Sequence, residues 1–431
     1  MSSANLRQWM NAKTVPPAND ESQRRVSDIL ILDGGVSTHL EQLIVEQKRH
    51  EETTEIDASN NESFQYRTLW SSSLLLNENG QDLIQQSHKS FLDSGCDIIS
   101  TVTYQLSHHV CQLKDQPSLS CVKDDGSSQK KLKSLEVLAL SESDVDELLS
   151  RGIQLAHETR IRVMEQRVEK DTSFIYDAKE AKPLYVIGSM GCYGAALADG
   201  SEYRGDYDIG TGKLIQFHKR RFSVMMDWVT KDSRSKDHSK DSTKREEQHI
   251  DGVAFETVPN ITEVEAIINV VQERLNKNIS EDEKIAIWIS LACQNEHCLN
   301  DGTPLIEVLD KIEALDENGF INGIGVNCFD VKKATSLIKE IATHQVKSKF
   351  NRAIIFYPNS GEEWDASNET WLEGSGCTDS EIFTEFMMDA IRLVQTTYKS
   401  KHKQCRIIVG GCCRTRPGTI KNLRQKVDEI V

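Results

Sequence analysis

The chain has 431 residues with 67 acidic and 51 basic side chains, a formal net charge of −16 at pH 7, which argues against a nucleic-acid or anionic-membrane surface. No apolar stretch runs unbroken for the roughly 18 residues of a membrane span. The eleven cysteines are odd in number and irregularly spaced, unlike a secreted disulfide framework, so their thiols are expected to stay free or to bind metal in a reducing compartment.

Residues 1–27 are polar and carry acids, with neither the apolar core of a signal peptide nor the arginine-rich, acid-poor character of a transit peptide. They are expected to form a flexible N-terminal arm on a cytoplasmic protein. Residues 28–431 are expected to form one large α/β domain. Eight short apolar runs follow in order: 28–35, 96–104, 183–189, 250–257, 284–291, 323–328, 353–359 and 406–411. Their length and β-branched content fit strands buried on both faces, as a parallel sheet requires. Between them, apolar residues recur at helical spacing over 81–93, 144–168, 214–229, 262–275, 303–315, 331–341 and 380–398, and Pro417 opens a last helix from its first turn. Eight strands alternating with helices predict a (β/α)8 TIM barrel. The rival is a doubly wound open sheet, but Asp33-Gly34-Gly35 after the first run lacks the G-x-G-x-x-G spacing of a dinucleotide site. Polar stretches near 48–63, 114–134 and 231–248 read as disordered loop insertions.

In a barrel the C-terminal strand ends meet on one face, where chemistry is built. Here they present Asp33, Thr103 with Tyr104, Glu256, Cys328, Asn359 and the adjacent pair Cys412 and Cys413. Three thiols at the ends of strands six and eight suggest a zinc site with one open position, the mark of catalytic rather than structural zinc. A thiol entering the fourth position would lose its proton and remain nucleophilic at neutral pH. Gly410 and Gly411 are expected to let the backbone bend sharply into the metal. Against this stands the common role of cysteine as a small buried hydrophobe, the reading given to Cys96, Cys111, Cys121, Cys192, Cys293, Cys298, Cys377 and Cys405. Oxidation of the vicinal Cys412 and Cys413 is one route to metal loss. Asp33 and Glu256 read either as helix-terminus or loop acids or as acceptors for a substrate ammonium. Glu256 follows Val253-Ala254-Phe255 directly, so its charge needs a partner.

Together these segments resemble the homocysteine S-methyltransferases. The likeness runs from Leu32-Asp33-Gly34-Gly35 through Thr101-Val102-Thr103-Tyr104-Gln105, Phe255-Glu256-Thr257-Val258-Pro259, Gly325-Val326-Asn327-Cys328 and Tyr357-Pro358-Asn359-Ser360-Gly361 to Gly410-Gly411-Cys412-Cys413-Arg414-Thr415. It covers nearly all of the chain outside the N-terminal arm and the insertions. The resemblance implies a TIM-barrel methyltransferase with zinc held by Cys328, Cys412 and Cys413. It also implies homocysteine as fourth ligand, with its amino group served by Asp33 and Glu256. Asn327, Trp70, Tyr104 and Gln105 are implied as further substrate-binding residues. Leu69-Trp70-Ser71 looks like the stretch that places a tryptophan near the methyl donor in the betaine-using branch. Thr103-Tyr104-Gln105 is closer to the S-methylmethionine-using fungal and plant members, and it lacks the extra aromatic residue that recognises a quaternary ammonium. A sulfonium donor, S-methylmethionine or S-adenosylmethionine, is therefore expected. The alternatives are betaine, methylation of selenocysteine or another thiol, and a non-catalytic zinc- or thiol-sensing barrel. The sequence leaves the oligomeric state open.

Overall fold

Eight short, β-branched segments pair side by side, all in parallel. They are β1 (Ile29–Ile31), β2 (Ile98–Ser100), β3 (Tyr185–Gly191), β4 (Gly252–Val258), β5 (Ala286–Leu291), β6 (Gly323–Asp330), β7 (Ala353–Asn359) and β10 (Ile407–Val409). Their order in the sheet is β1, β10, β7, β6, β5, β4, β3, β2. A parallel bridge between Leu32 and Ile98 joins the two ends, so the sheet closes on itself. Two-residue strands β8 (Trp364–Asp365) and β9 (Thr370–Trp371) make a separate antiparallel ribbon beyond β7. The computed structural model describes residues 5–12, 28–52, 69–109, 140–170, 182–229, 250–276, 284–362, 364–365, 370–371 and 376–430. The expected insertions at 114–134 and 231–248 fall outside these residues, as does 53–63 of the first.

Alternation along each strand sorts side chains into two apolar layers. Ile29, Ile31, Ile99, Val186, Ile287, Ile354 and Val409 face outward into the core shared with the helices. Leu30, Leu32, Ile98, Ile187, Trp288, Ile355 and Ile408 fill the barrel interior. The sequence-predicted helices appear as α3 (Glu78–Asp93), α4 (Glu142–Lys170), α6 (Thr211–Asp227), α7 (Ile261–Leu275), α8 (Leu305–Leu315), α9 (Ala334–Gln345), α10 (Ser380–Lys399) and α11 (Pro417–Asp428). Two more were not foreseen, α2 (Val36–Glu52) and the short α5 (Tyr193–Leu197). In α2, Leu40 is buried, and Val36, Leu43 and Ile44 pack on the same core. Residues 48–52, expected to begin an insertion, prolong this helix instead.

The expected flexible arm is also partly corrected. Its residues Leu6–Asn11 form α1, whose N-cap Asn5 accepts from the Arg7 and Gln8 amides. Leu6, Trp9 and Met10 are buried and join the barrel-interior layer. A Cβ on Gly323 would lie 2.7 Å from the end of Met10, and the Arg406 guanidinium sits 5.3 Å from the Trp9 ring centroid. Helix α1 therefore stoppers the floor of the barrel, opposite the strand ends that carry the thiols. Two acids brace the same end, Asp97 buried and Asp251 half-buried. Asp97 accepts from the Ile31 amide at 2.8 Å and pairs with Arg424 of α11. Asp251 accepts from the Val186 amide at 2.7 Å and pairs with Arg160 of α4 at 2.6 Å. Each carboxylate ties a strand to its neighbour and anchors an outer helix.

Candidate active site

Cys328, Cys412 and Cys413 converge at the barrel mouth. Strands β6 and β10 flank β7, and the three sulfurs lie within 4.8 Å of one another. The Cys328 and Cys412 sulfurs are in close contact although 84 residues separate them in sequence, with their Cα atoms 5.6 Å apart. In the reduced state the three sulfurs fit zinc, whose Zn–S bonds of about 2.3 Å set tetrahedral S–S edges of about 3.8 Å. The surroundings also fit a cation. Burial, then the charges of Glu41 and Glu202, push the Cys413 thiol up to about 11. Thiolates at this spot need a positive ion among them to exist near neutral pH.

The backbone here departs from regular geometry. The β6–β7 register shifts between Asn327 and Asp330, so Cys328 sits in an irregularity within β6 rather than at the strand's end. The β4–β5 register shifts between Phe255 and Val258, around Glu256 and Thr257. Bulges of this kind re-aim side chains next to active sites. Among the described residues, six non-glycine positions have left-handed φ, and four belong here: Trp70 (42°), Thr257 (58°), Cys328 (55°) and Arg414 (65°). For β-branched Thr257 the conformation is costly, of order 1–3 kcal/mol. Asn327 stabilises it: its side-chain carbonyl accepts from the Thr257 amide and its NH2 donates to Thr257 Oγ1, both at 2.8 Å.

Gly410 and Gly411 have a different role from the sharp bend expected of them. Neither takes a left-handed φ; the turn is made at Arg414. What they provide is room, since a Cβ on Gly411 would lie 2.1 Å from Thr415 Cγ2. Arg414 fixes the turn by donating to both carboxylate oxygens of Glu362 at 2.9 Å.

Asp33 and Glu256 face the same mouth, Asp33 buried and Glu256 half-buried, and both hold their protons more tightly than a free carboxyl. Burial raises Asp33 to about 8, with a further rise from the Glu256 charge, against bonds from the Ser100 amide (2.7 Å) and hydroxyl (3.1 Å). Burial raises Glu256 to about 7, opposed by the hydroxyls of Ser189 and Tyr357. Glu256 Oε1 is buried and has no hydrogen-bond partner among the described residues. Two coupled carboxyls with a spare acceptor oxygen suit an incoming ammonium.

The other sequence-predicted residues divide. Trp70 stands near the thiols: its indole donates to Glu41 Oε1 at 2.9 Å, and the Glu41 charge reaches Cys413. The Tyr104 phenol is hydrogen-bonded to Thr257, beside the bulge in β4. Gln105 turns toward α5, donating to the Ala195 carbonyl at 3.3 Å. Asn327 spends its amide on Thr257, so it positions the β4 bulge.

Sequence reasoning missed several groups. Arg221, fully buried, donates to the carbonyls of Gly191 (2.9 Å) and Tyr104 (3.1 Å). Buried Glu263 accepts from the Tyr193 amide and faces His218 Nε2, each at 2.7 Å, and also accepts from the Tyr207 hydroxyl. Glu202 and Tyr203, in the loop after β3, lie close enough to the thiols for their charges to interact with Cys413. No periodicity marks these loop residues, and only the fold gathers them.

The sequence model of the family described as homocysteine S-methyltransferase matches residues 30–427. A maize (Zea mays) protein named homocysteine S-methyltransferase 2 is 27% identical over 422 residues, 96% of each chain. The Bacillus subtilis homocysteine S-methyltransferase YbgG is 27% identical over 398 residues, 92% of this chain and 93% of its own. Among solved structures, the metallated form of the homocysteine methyltransferase MmuM from Escherichia coli superposes with a TM-score of 0.59 at 22% identity. That match covers 93% of this chain and 96% of MmuM, and it bears on the fold, a TIM barrel in both.

Proposed function

The chain belongs to the homocysteine S-methyltransferase family, and we propose that it moves a methyl group from a sulfonium donor, S-methylmethionine or S-adenosylmethionine, to homocysteine, giving methionine. One observation carries the reading: three thiols from β6 and β10 share the barrel mouth with the acid pair Asp33 and Glu256. Zinc on Cys328, Cys412 and Cys413 would supply deprotonation of an entering thiol at neutral pH. Asp33 and Glu256 would take the homocysteine ammonium, with Asn327 keeping the Glu256–Thr257 bulge in place. Trp70 and Tyr104 would wall the donor side, and Gln105 would shape the loop beneath it.

The homocysteine thiolate then attacks the donor methyl carbon in line. A new S–C bond forms, and the old one breaks with its electron pair staying on the donor sulfur. The leaving group is a neutral thioether, so no general acid is needed. Opposite charges on thiolate and sulfonium partly cancel in the transition state, which favours a water-poor site. Alignment of the two reactants supplies further acceleration. A reducing, cytoplasmic setting is part of this reading, supported by the odd number and irregular spacing of the cysteines.

The test is methionine formation by reduced, zinc-loaded protein given homocysteine with S-methylmethionine, S-adenosylmethionine or betaine separately. Turnover with a sulfonium and none with betaine is expected. Turnover with betaine alone would overturn the donor assignment. Cys412→Ala should lose its zinc and more activity than the ~100-fold typical of outer-shell changes; an active, metal-free variant would remove the thiol site.

A further inference from the structure

We infer that Glu202 and Tyr203 form the donor side of the pocket, and that the donor they fit is an amino-acid sulfonium whose α-ammonium binds Glu202 while its cationic sulfur lies against the Tyr203 ring. The inference rests on the methyl-transfer reading and adds to it the side chains that hold the donor.

Glu202 is only 8% exposed, yet its Oε2 has no hydrogen-bond partner among the described residues. Burial, opposed by a bond from its own amide, raises its pKa. A buried carboxylate oxygen without a donor is costly, and a ligand N–H removes the cost. The nearest cation cannot: Arg204 is committed to Asp206 (3.0 Å), to the Asp199 carbonyl (3.2 Å) and to Ser201 Oγ (3.4 Å). The turn that carries Glu202 is pinned. Asn300 Nδ2 donates to the Glu202 carbonyl at 2.8 Å, and a Cβ on Gly194 would lie 2.5 Å from the Glu202 amide. The carboxylate is therefore held in place before any ligand arrives.

Tyr203 presents the complementary feature. It is 59% exposed although its hydroxyl feels the charges of Cys413, Glu202 and Cys192. An aromatic ring open to solvent beside buried acids is a platform for a cation. The acceptor's ammonium already has Asp33 and Glu256, so a second cation at the mouth is the donor's. S-Methylmethionine and S-adenosylmethionine carry both a sulfonium and an α-ammonium. Betaine has no N–H to offer Glu202, which gives a physical reason for its exclusion.

The experiment uses zinc-loaded, full-length protein at saturating homocysteine and compares two donors. One is S-methylmethionine. The other is dimethylsulfoniopropionate, a sulfonium without an α-ammonium, read as a KM or, if no methyl moves, as a competitive Ki. Glu202→Gln should raise the KM for S-methylmethionine about ten-fold or more, as expected for a lost charge-assisted bond. Its zinc content, its homocysteine KM and its constant for dimethylsulfoniopropionate should stay within about two-fold. Tyr203→Ala should weaken both donors and Tyr203→Phe neither. Because Tyr203 is exposed, these variants keep the proposal testable if Glu202→Gln fails to fold. An unchanged KM for S-methylmethionine in Glu202→Gln, or an equal loss for both donors, would overturn the assignment while wild-type turnover leaves the methyl-transfer reading intact. Wild-type protein that uses no sulfonium would overturn both.

Discussion

Asp33 and Glu256 are carboxyls whose pKa values burial lifts to about 8 and about 7. The folded values exceed the unfolded ones, so their contribution to stability is complete below about pH 4. It is lost as pH rises toward 7 and 8. A bound ammonium reverses the preference by favouring the ionised pair. Homocysteine binding should therefore expel protons around pH 7, and its KM should fall between pH 6 and pH 8. Calorimetry in buffers of different ionisation heat would measure this release. The difference between wild type and Asp33→Asn isolates the carboxyl from the substrate thiol. Equal proton release in both would remove Asp33 from the ammonium site. The acids themselves were legible in the sequence, as carboxylates closing apolar runs. Their coupling was not, because it depends on β1 and β4 facing one another across a closed barrel.

At the level of elements, strands were readable because β-branched runs of this length fit only a two-faced burial. Helix α5 was not, since five residues are too few to display a 3.6-residue period. The bulges in β4 and β6 were equally hidden. They arise where Asn327 bridges to Thr257, a contact between residues 70 apart in sequence. Asp251 is the element-scale joint most open to test, since it ties β3 and α4 together at the barrel floor. Asp251→Ala would remove the carboxylate from the Arg160 guanidinium, which keeps His157 Nδ1 at 2.7 Å, and should cost about 1.5–3 kcal/mol. Urea unfolding would show a lower midpoint at unchanged slope; a shift below about 1 kcal/mol would mean that the pair is solvated like a surface bridge.

Across the whole molecule, chemistry and support occupy opposite ends. The mouth holds the thiols, the raised carboxyls and the left-handed residues, each at an energetic cost. The floor holds the α1 stopper and the arginine–aspartate joints. Trp9 is 5% exposed within that floor, so Trp9→Ala should destabilise the fold by about 3–5 kcal/mol. Zinc stoichiometry and homocysteine affinity should be retained below the melting transition. Loss of zinc from the folded variant would show that the floor and the mouth are coupled. The stopper escaped the sequence reading because six residues bearing Leu6, Trp9 and Met10 within a polar arm give no sign of what they will cover.

The sequence by itself determined the barrel, through eight buried-strand runs separated by helical periods, and it pointed to the thiols and the acid pair as candidate site residues. These signals are local: side-chain shape and alternation act over a few residues. Only the tertiary structure decided that Cys328 meets Cys412 from 84 residues away, that Asn327 serves Thr257, and that Glu202 and Tyr203 come within charge-interaction range of Cys413. Barrel closure and the packing of irregular loops set those relations, and neither leaves a period in the chain.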